Sequence, residues 1–209
     1  MRLIEARDPP VRTFLDLGCG DGILAAAILA RYPKARGVLV DFSPGMLEAA
    51  RARIGRSTRR VDFLLLDYGT PQWIESVQRF SPFDAIVSGF SIHHQPDRRK
   101  RKLYAELFDL LRPAGLFLNL EHVASPTRWL ERAHDDLFID ALHAFGQQNG
   151  SRKSRAQTAR EYHARPDKAA NLLAPVERQC AWLRDMGYED VDCYFKIFEL
   201  AVFGGRRPR

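Results

Sequence analysis

The chain is poor in cysteine and lacks long hydrophobic runs, and each deficit excludes a class of protein. Its 209 residues include only three cysteines, Cys19, Cys180 and Cys193, and these have no metal-site or disulfide spacing. We therefore expect reduced thiols. No apolar run reaches the ~18 residues that a membrane-spanning helix needs, and the first residues do not resemble a signal peptide. These features predict a cytoplasmic protein without membrane contact.

Composition and charge favour one globular domain. Hydrophobic residues make up 45% of the chain and charged residues 28%, enough for a sizeable core. Part of the net charge of +6 lies in the runs 98–102 and 206–209. A basic balance permits nucleic-acid binding, but no aromatic residues interleave with the first run to stack on bases. We interpret these runs as a solvated helix start and a frayed tail, so nucleic acid is the less favoured partner.

The segment from Phe14 to Gly22 organises the rest of the sequence. It reads Phe-Leu-Asp-Leu-Gly-Cys-Gly-Asp-Gly, and a helix-forming run follows at once. A strand, a tight glycine turn and a helix open nucleotide-binding α/β folds, in which the helix offers unpaired N–H groups to a ligand. The spacing is not the dinucleotide fingerprint G-x-G-x-x-G, because Ile23 occupies the position of the third glycine. No lysine follows the glycines, as the phosphate-binding loop would require.

The acidic residue Asp16 precedes the first glycine. A carboxylate would repel a pyrophosphate but would stabilise a cationic amine. S-adenosylmethionine carries an ammonium and a sulfonium and no phosphate. An acidic residue followed by G-x-G-x-G resembles the first motif of the class I S-adenosylmethionine-dependent methyltransferases. A glycine turn with no ligand is the alternative interpretation of this segment.

Later segments agree with this resemblance. The sequence Phe-Asp-Ala-Ile-Val-Ser at 83–88, followed by His93 and His94, is similar to small-molecule methyltransferases. Arg-Pro-Ala-Gly at 112–115 is similar to the family's L-[RK]-P-G-G, with Ala114 as a departure. The chain lacks the [DN]-P-P-[YF] run of enzymes that methylate DNA bases or glutamine, which weighs against those acceptors.

The resemblance extends from about residue 14 to residue 205, where the ending resembles that of uncharacterised bacterial methyltransferases. It implies an α/β, Rossmann-like fold with a mostly parallel seven-stranded sheet and helices on both faces. We expect a single methyltransferase domain with a core at 13–124 and 175–205 and a helical cap insertion at about 125–173. The family usually has a helical lid before the first strand. Only about a dozen residues precede that strand, so we expect a lid supplied elsewhere or a longer protein.

Patterning places elements along this fold. We predict strands at 14–17, 37–40, 61–66, 83–88, 116–120, 191–196 and 200–203. We predict helices at 23–31, 46–54, 73–80, 102–111, 129–145 and 175–186.

The resemblance also implies a set of cofactor-binding residues near the carboxyl ends of the predicted strands. They are Asp16, Gly18, Cys19, Gly20, Asp41, Phe42, Met46, Asp67, Tyr68 and Ser88. Asp16, Gly18 and Gly20 would hold the methionine end of the cofactor. Asp41, about 20 positions beyond the glycines, would hold the ribose hydroxyls. Phe42 and Met46 would pack on the adenosine, and Asp67 would bind the adenine. The alternatives are a helix cap for Asp41, a core role for Met46 and a turn at Asp67.

His94, His93 and Glu121, in that order, are the candidate catalytic residues. Neutral imidazole can accept a proton from an acceptor. Glu121 could orient His122 or His94, or form a structural hydrogen bond. Adjacent histidines rarely share one ion and no third ligand is evident by spacing, so we predict no metal site.

The predicted reaction is in-line methyl transfer from S-adenosylmethionine to O, N or C of a small-molecule acceptor, which leaves S-adenosylhomocysteine. Arg160 and Arg165 could bind a substrate carboxylate or could be surface charges. One alternative is a tRNA-linked enzyme of this fold, such as a carboxy-S-adenosylmethionine synthase or an RNA methyltransferase. Another is a non-catalytic binding subunit, which would bind the cofactor without turnover.

Overall fold

The computed structural model describes residues 1–6, 10–166 and 170–209, and these form an α/β fold around one seven-stranded sheet. The strands are β1 (Thr13–Leu17), β2 (Arg36–Asp41), β3 (Val61–Leu65), β4 (Phe83–Gly89), β5 (Leu111–His122), β6 (Glu189–Ile197) and β7 (Leu200–Arg206). The helices are α1 (Arg2–Glu5), α2 (Ile23–Arg31), α3 (Pro44–Ile54), α4 (Trp73–Gln78), α5 (Asp97–Leu110), α6 (Arg128–Gln148), α7 (Arg155–His163) and α8 (Val176–Asp185). None of the helices in these ranges is both long and apolar enough to cross a membrane.

The strand order is β3-β2-β1-β4-β5-β7-β6, and this confirms the predicted mostly parallel sheet. The pairs from β3 through β5 are parallel, whereas β7 runs antiparallel to both β5 and β6. The chain moves outward from β1 to β3 and then returns to place β4 beside β1. Parallel α/β sheets bind ligands at such a reversal, outside the carboxyl ends of the strands.

Apolar residues cover both faces of the central strands, which explains their near-continuous hydrophobic sequences. One core cluster packs α4, α5 and α8 on the sheet, with Trp73, Tyr104 and Phe117 fully buried. The other packs α1, α2 and α3 on the opposite face, with Phe14 and Ile28 buried. The predicted helices on both faces are therefore confirmed.

The N-terminal stretch, in which we predicted no helix, contains the one-turn helix α1. Its Ile4 is 4% exposed and belongs to the cluster that includes Ile28.

Helix α5 begins at Asp97, five residues before its predicted start at Lys102. Arg99 and Lys100, which we interpreted as part of a solvated run, are only 8% and 1% exposed. The Arg99 guanidinium donates to Glu106 and to the Tyr68 carbonyl. Two cationic side chains therefore occupy buried positions of the helix. Because these positions are not apolar, the hydrophobic pattern in the sequence did not indicate the first turn of α5.

The basic tail also differs from its interpretation as frayed. The Arg207 guanidinium donates to the carbonyl oxygens of Phe108, Asp109 and Leu111, the last at 2.7 Å. This contact ties the end of the chain to the junction of α5 and β5.

Strand β5 begins at Leu111, directly after α5, and not at the predicted Leu116. Its pairing with β4 shifts register between Phe83 and Ala85. Ala114, which departs from the glycine of the family pattern, has a φ of +60° in this irregular segment. A left-handed conformation costs an L-residue with a Cβ about 1–2 kcal/mol.

Replacing Ala114 with glycine is expected to raise the free energy of unfolding by ~0.5–1 kcal/mol, because glycine adopts a positive φ without that strain. Urea unfolding followed by circular dichroism measures the difference. The control is Ala52→Gly on the exposed side of α3, which should lower stability by about 1 kcal/mol. A loss of stability in both variants would contradict the strain at Ala114.

Helices α6 and α7, which we call the cap helices, fill most of the predicted insertion at 125–173; residues 167–169 of that range lie outside the described residues. Thr127 caps α6 through the Leu130 N–H, and Ser154 forms a capping box with Gln157. The Tyr162 hydroxyl of α7 donates to Asp135 of α6 at 2.7 Å. Together these contacts fix the two helices against each other.

Candidate active site

The glycine turn lies at the sheet reversal between β1 and β4, and Gly18, Gly20 and Gly22 all have positive φ values. A Cβ on Gly18 would lie 1.8 Å from the Ser91 Oγ, so glycine allows the loop after β4 to approach. A Cβ on Gly20 would meet nothing within 4 Å. Among the described residues, the turn therefore leaves open space in front of Gly20, where a ligand can approach the backbone.

Asp16 lies beneath this turn and is 1% exposed. Its Oδ2 accepts a hydrogen bond from the Ala25 N–H at 3.0 Å, so the carboxyl group caps the first turn of α2. Its buried Oδ1 has no hydrogen-bond partner among the residues that the structure describes. Burial raises the pKa of Asp16 to about 8, despite the hydrogen bond from Ala25. A nearby cation would favour the ionised form of this carboxyl group.

The raised pKa of Asp16 predicts that the chain loses stability as the pH rises. The folded-state pKa lies above that of the unfolded chain, so this contribution is complete below pH ~4 and is lost as the pH approaches about 8. The slope is at most about 1.4 kcal/mol per pH unit. Urea unfolding at a series of pH values should show this loss in the wild type relative to Asp16→Asn. Parallel pH profiles for the two proteins would contradict the prediction.

Asp41 ends β2 and is 6% exposed. Its two carboxylate oxygens accept hydrogen bonds from the N–H groups of Gly20 and Ser43, each at 2.9 Å. Ser43 itself caps α3 through the Met46 N–H, so Asp41 is not the cap of this helix. Each oxygen of Asp41 retains a further acceptor site. Asp41 therefore both shapes the glycine turn and can accept hydrogen bonds from a ligand.

Two apolar side chains next to Asp41 are exposed. Phe42 is 71% exposed and Met46 is 48% exposed, at the start of α3. Exposed apolar side chains at the edge of a cleft can pack against the flat face of a base.

The other predicted cofactor contacts divide into exposed and buried positions. Asp67 is exposed, and its Oδ1 accepts from the Gly69 N–H at 2.7 Å. Tyr68 is buried, and its hydroxyl bonds to the Ser91 hydroxyl. Ser88 is fully buried and donates to the Leu17 carbonyl. Cys19 is buried, and burial raises the pKa of its thiol, so it is an unreactive side chain in the turn.

A cavity of about 520 Å³ lies between the carboxyl ends of β4 and β5 and the cap helices. The loop after β4 connects it to the glycine turn, because Ser91 lies against Gly18 while its neighbours line the cavity. Aromatic and basic side chains dominate the lining. The lining residues are Phe90, His93, His94, His122, His134, Phe138, Tyr162, Arg165, Asn171 and Leu200.

Glu121 orients His93 in this cavity. The His93 Nδ1 lies 2.6 Å from one oxygen of Glu121, and the His93 backbone N–H donates to the other at 3.0 Å. The carboxylate fixes the Nδ1–H tautomer and leaves Nε2 as a proton acceptor. Glu121 therefore binds His93, whereas the sequence had left open His122 or His94 as the ring that it orients, or a structural hydrogen bond. His94, the first-ranked catalytic candidate, is exposed, and its Nδ1 lies 3.2 Å from the Ala170 carbonyl.

A second carboxylate, Glu199, holds the other two histidines of the cavity. The His122 Nε2 lies 2.8 Å from Glu199 Oε2, and the His134 Nε2 lies 3.7 Å from the same oxygen. Burial alone raises the pKa of Glu199, but hydrogen bonds from His122 and Ser125 and the charge of His134 outweigh it and hold the pKa below its ordinary value. Sequence reasoning missed Glu199, because it stands in a two-residue hairpin turn where a charged residue usually faces solvent.

Residues 170–174 connect the cap helices to the loop that carries His93. The Leu172 N–H donates to the His93 carbonyl at 3.0 Å, and the Lys100 ammonium donates to the Leu172 carbonyl. Arg165 lines the cavity with its guanidinium over the Tyr162 ring, whereas Arg160 is exposed on α7.

Comparisons with known proteins agree with this architecture. A family model described as a methyltransferase domain matches residues 14–115. Trans-aconitate 2-methyltransferase of Methylobacterium radiotolerans is 38% identical over 124 residues, which are 58% of this chain and 43% of that protein. Malonyl-[acyl-carrier protein] O-methyltransferase of Anoxybacillus flavithermus is 35% identical over 79 residues, 38% of this chain and 27% of that protein.

Solved structures share the fold. An O-methyltransferase family protein from Burkholderia thailandensis aligns with a TM-score of 0.66 at 21% identity, over 95% of this chain and 51% of its own. The chain spans less than half the length of the two curated relatives. The sheet order, the glycine motif and the matched family model together confirm the resemblance seen in the sequence. Residues 14–115 thus match a methyltransferase domain, and these findings support the class I S-adenosylmethionine-dependent methyltransferase family for this chain.

Proposed function

We propose that this chain transfers a methyl group from S-adenosylmethionine to a hydroxyl group of a small molecule, with His93 as the general base. The observation that carries the proposal is the Glu121–His93 pair in a cavity joined to the glycine turn. A carboxylate-oriented imidazole accepts protons, and a neutral hydroxyl must lose a proton when it is methylated. The cap helices would enclose the acceptor and set its identity.

The residues at the glycine turn suit the cofactor. The open space at Gly20 and the buried carboxyl group of Asp16 would accommodate the methionine end, whose ammonium complements a carboxylate. Asp41 would accept hydrogen bonds from the ribose hydroxyls.

The remaining contacts would involve the adenosine. Phe42 and Met46 would pack on its face, and Asp67 would accept from the adenine amino group. Gly18, Cys19, Tyr68 and Ser88 would support the turn from below. S-adenosylmethionine supplies an electrophilic methyl group on a cationic sulfur, so the protein's task is to align the acceptor and remove its proton.

A carboxylate acceptor is the second candidate, because Arg165 reaches the cavity and one relative is named for trans-aconitate. A guanidinium binds a carboxylate through two hydrogen bonds. Carboxylates are already ionised at neutral pH and need no base for methylation. The two acceptor classes therefore differ in whether transfer depends on His93.

Calorimetric titration of the purified chain separates cofactor binding from transfer. S-adenosylmethionine and S-adenosylhomocysteine should both bind, and NAD should not. Release of S-adenosylhomocysteine is then measured with a panel of phenols, enols and alcohols without a carboxyl group and a panel of carboxylic acids without a hydroxyl group. Turnover with the first panel supports the proposal, and turnover confined to the second supports the carboxylate alternative. Binding without turnover on either panel would favour a non-catalytic subunit.

A further inference from the structure

His122, His134 and Glu199 come from three separate elements and converge beside the acceptor cavity. His122 ends β5, His134 lies in α6 and Glu199 lies in the turn between β6 and β7. Their potential ligand atoms all lie within 4.8 Å of one another. His134 and Glu199 are only 4% and 5% exposed, so this is an internal cluster.

We propose that His122, His134 and Glu199 form a binding site for a divalent transition-metal ion of the zinc class. Two imidazoles and one carboxylate are a donor set typical of Zn²⁺ and Fe²⁺, whereas Mg²⁺ and Ca²⁺ prefer oxygen ligands alone. This site revises the sequence prediction of no metal site, in which His122, His134 and Glu199 were not considered together. It is independent of the proposed transfer reaction, because metal binding is measured without an acceptor.

The three ligand atoms lie close enough together to converge on one ion after rearrangement of the side chains. Tetrahedral ligands at about 2.0–2.2 Å from zinc lie roughly 3.3–3.5 Å apart. The Glu199 oxygen lies 3.7 Å from the His134 Nε2 and 2.8 Å from the His122 Nε2. For a metal ion to replace the Glu199–His122 hydrogen bond, the proton on the His122 Nε2 would have to move to Nδ1 or to water, because a metal binds the unprotonated nitrogen. The Nε2 and the Glu199 oxygen would then move apart by roughly half an ångström. An ion pair between Glu199 and His122 alone would not explain why His134 also lies beside the Glu199 carboxylate.

The surroundings fix the ligands and leave one side open. The His134 ring packs between Phe138 and Phe198, with centroid distances of 5.9 and 6.2 Å. Phe198 lies in the hairpin turn and has a φ of +49°, a conformation in which glycine or asparagine is usual. The next residue in the turn, Glu199, has its side chain buried. His122 and His134 also line the acceptor cavity. An ion bound to them would therefore keep coordination positions open to water or to an acceptor.

The test uses the full chain after removal of metals with EDTA and dialysis. Calorimetric titration with ZnCl₂ should give one ion per chain, and Co²⁺ should produce visible absorption bands of a tetrahedral or five-coordinate site. Glu199→Gln and His134→Ala should each weaken Zn²⁺ binding by at least about tenfold. The matched control is His143→Ala on the same helix as His134, which should bind as the wild type does.

Circular dichroism and melting curves establish that each variant is folded. If His134→Ala does not fold, the near-isosteric Glu199→Gln decides the question by its Zn²⁺ affinity. Absence of stoichiometric binding, or equal affinity in the wild type and both ligand variants, overturns the proposal and leaves an ion-paired cluster. Loss of binding in His143→Ala alone also overturns it, because the ion would then lie on the surface of α6.

Discussion

Replacing His93 with alanine is expected to lower kcat by about 10²–10⁴-fold and to leave the Kd for S-adenosylmethionine unchanged. Alanine removes the imidazole that would take the acceptor proton, while the glycine turn and Asp41 remain intact. Initial rates of S-adenosylhomocysteine release at saturating cofactor and acceptor measure kcat. Calorimetry measures cofactor affinity in the same preparation.

His94→Ala is the matched control, because it removes the neighbouring imidazole, which is exposed. We expect a smaller loss of kcat in this variant than in His93→Ala. Glu121→Gln should lower kcat in the same direction as His93→Ala, because glutamine keeps the shape but removes the charge that supports the imidazolium. Equal losses in the His93 and His94 variants would show that neither ring is the specific base. Full activity of His93→Ala would indicate an acceptor that is already ionised.

Replacing Asp41 with alanine is expected to weaken S-adenosylmethionine binding by about 10–150-fold, or roughly 1.5–3 kcal/mol. The change removes two charge-assisted acceptors for the ribose. It also releases the Gly20 N–H, which Asp41 holds at 2.9 Å, so the turn loses part of its definition. Calorimetric titration gives the Kd directly. S-adenosylhomocysteine should lose affinity by a similar factor, because the two molecules share the ribose.

Asp62→Ala is the control for loss of a negative charge away from the site, because Asp62 is an exposed carboxylate near the start of the neighbouring strand β3. It should bind both molecules as the wild type does. Unchanged affinity in Asp41→Ala would refute the ribose assignment. Equal weakening in both variants would point to a general effect of net charge.

The sheet and the glycine turn were predictable because their signals are local. The apolar run from Phe14, the glycines and Ser43-Pro44 each determine the conformation of their own neighbourhood. The start of α5 was not predictable in the same way. Arg99 and Lys100 become acceptable in a buried stripe because Glu106 and the distant Leu172 carbonyl bind them, together with Asp97 three residues before Lys100.

The sequence could indicate candidate residues for the site, but it could not indicate how they pair. The sequence identified His93, His94 and Glu121 as candidates, yet it ranked the exposed His94 first. Pairing depends on which ring the loop after β4 turns toward β5, and no local pattern encodes that rotation. Glu199 has no signal at all in the sequence, because its burial results from the cap helices covering a hairpin turn.

The hydrogen bonds of residues 170–174 bear on how acceptor preference could diverge within this fold. This short segment holds the backbone of His93 through Leu172, and it holds the Ala124 N–H through the Ala174 carbonyl. A cap taken from another protein of this fold would therefore have to end in a segment of the same length and path to leave His93 in place. We expect exchange of the cap helices to change the cavity lining, through positions such as Phe138 and Tyr162, while the return segment keeps the loop after β4 in its present position.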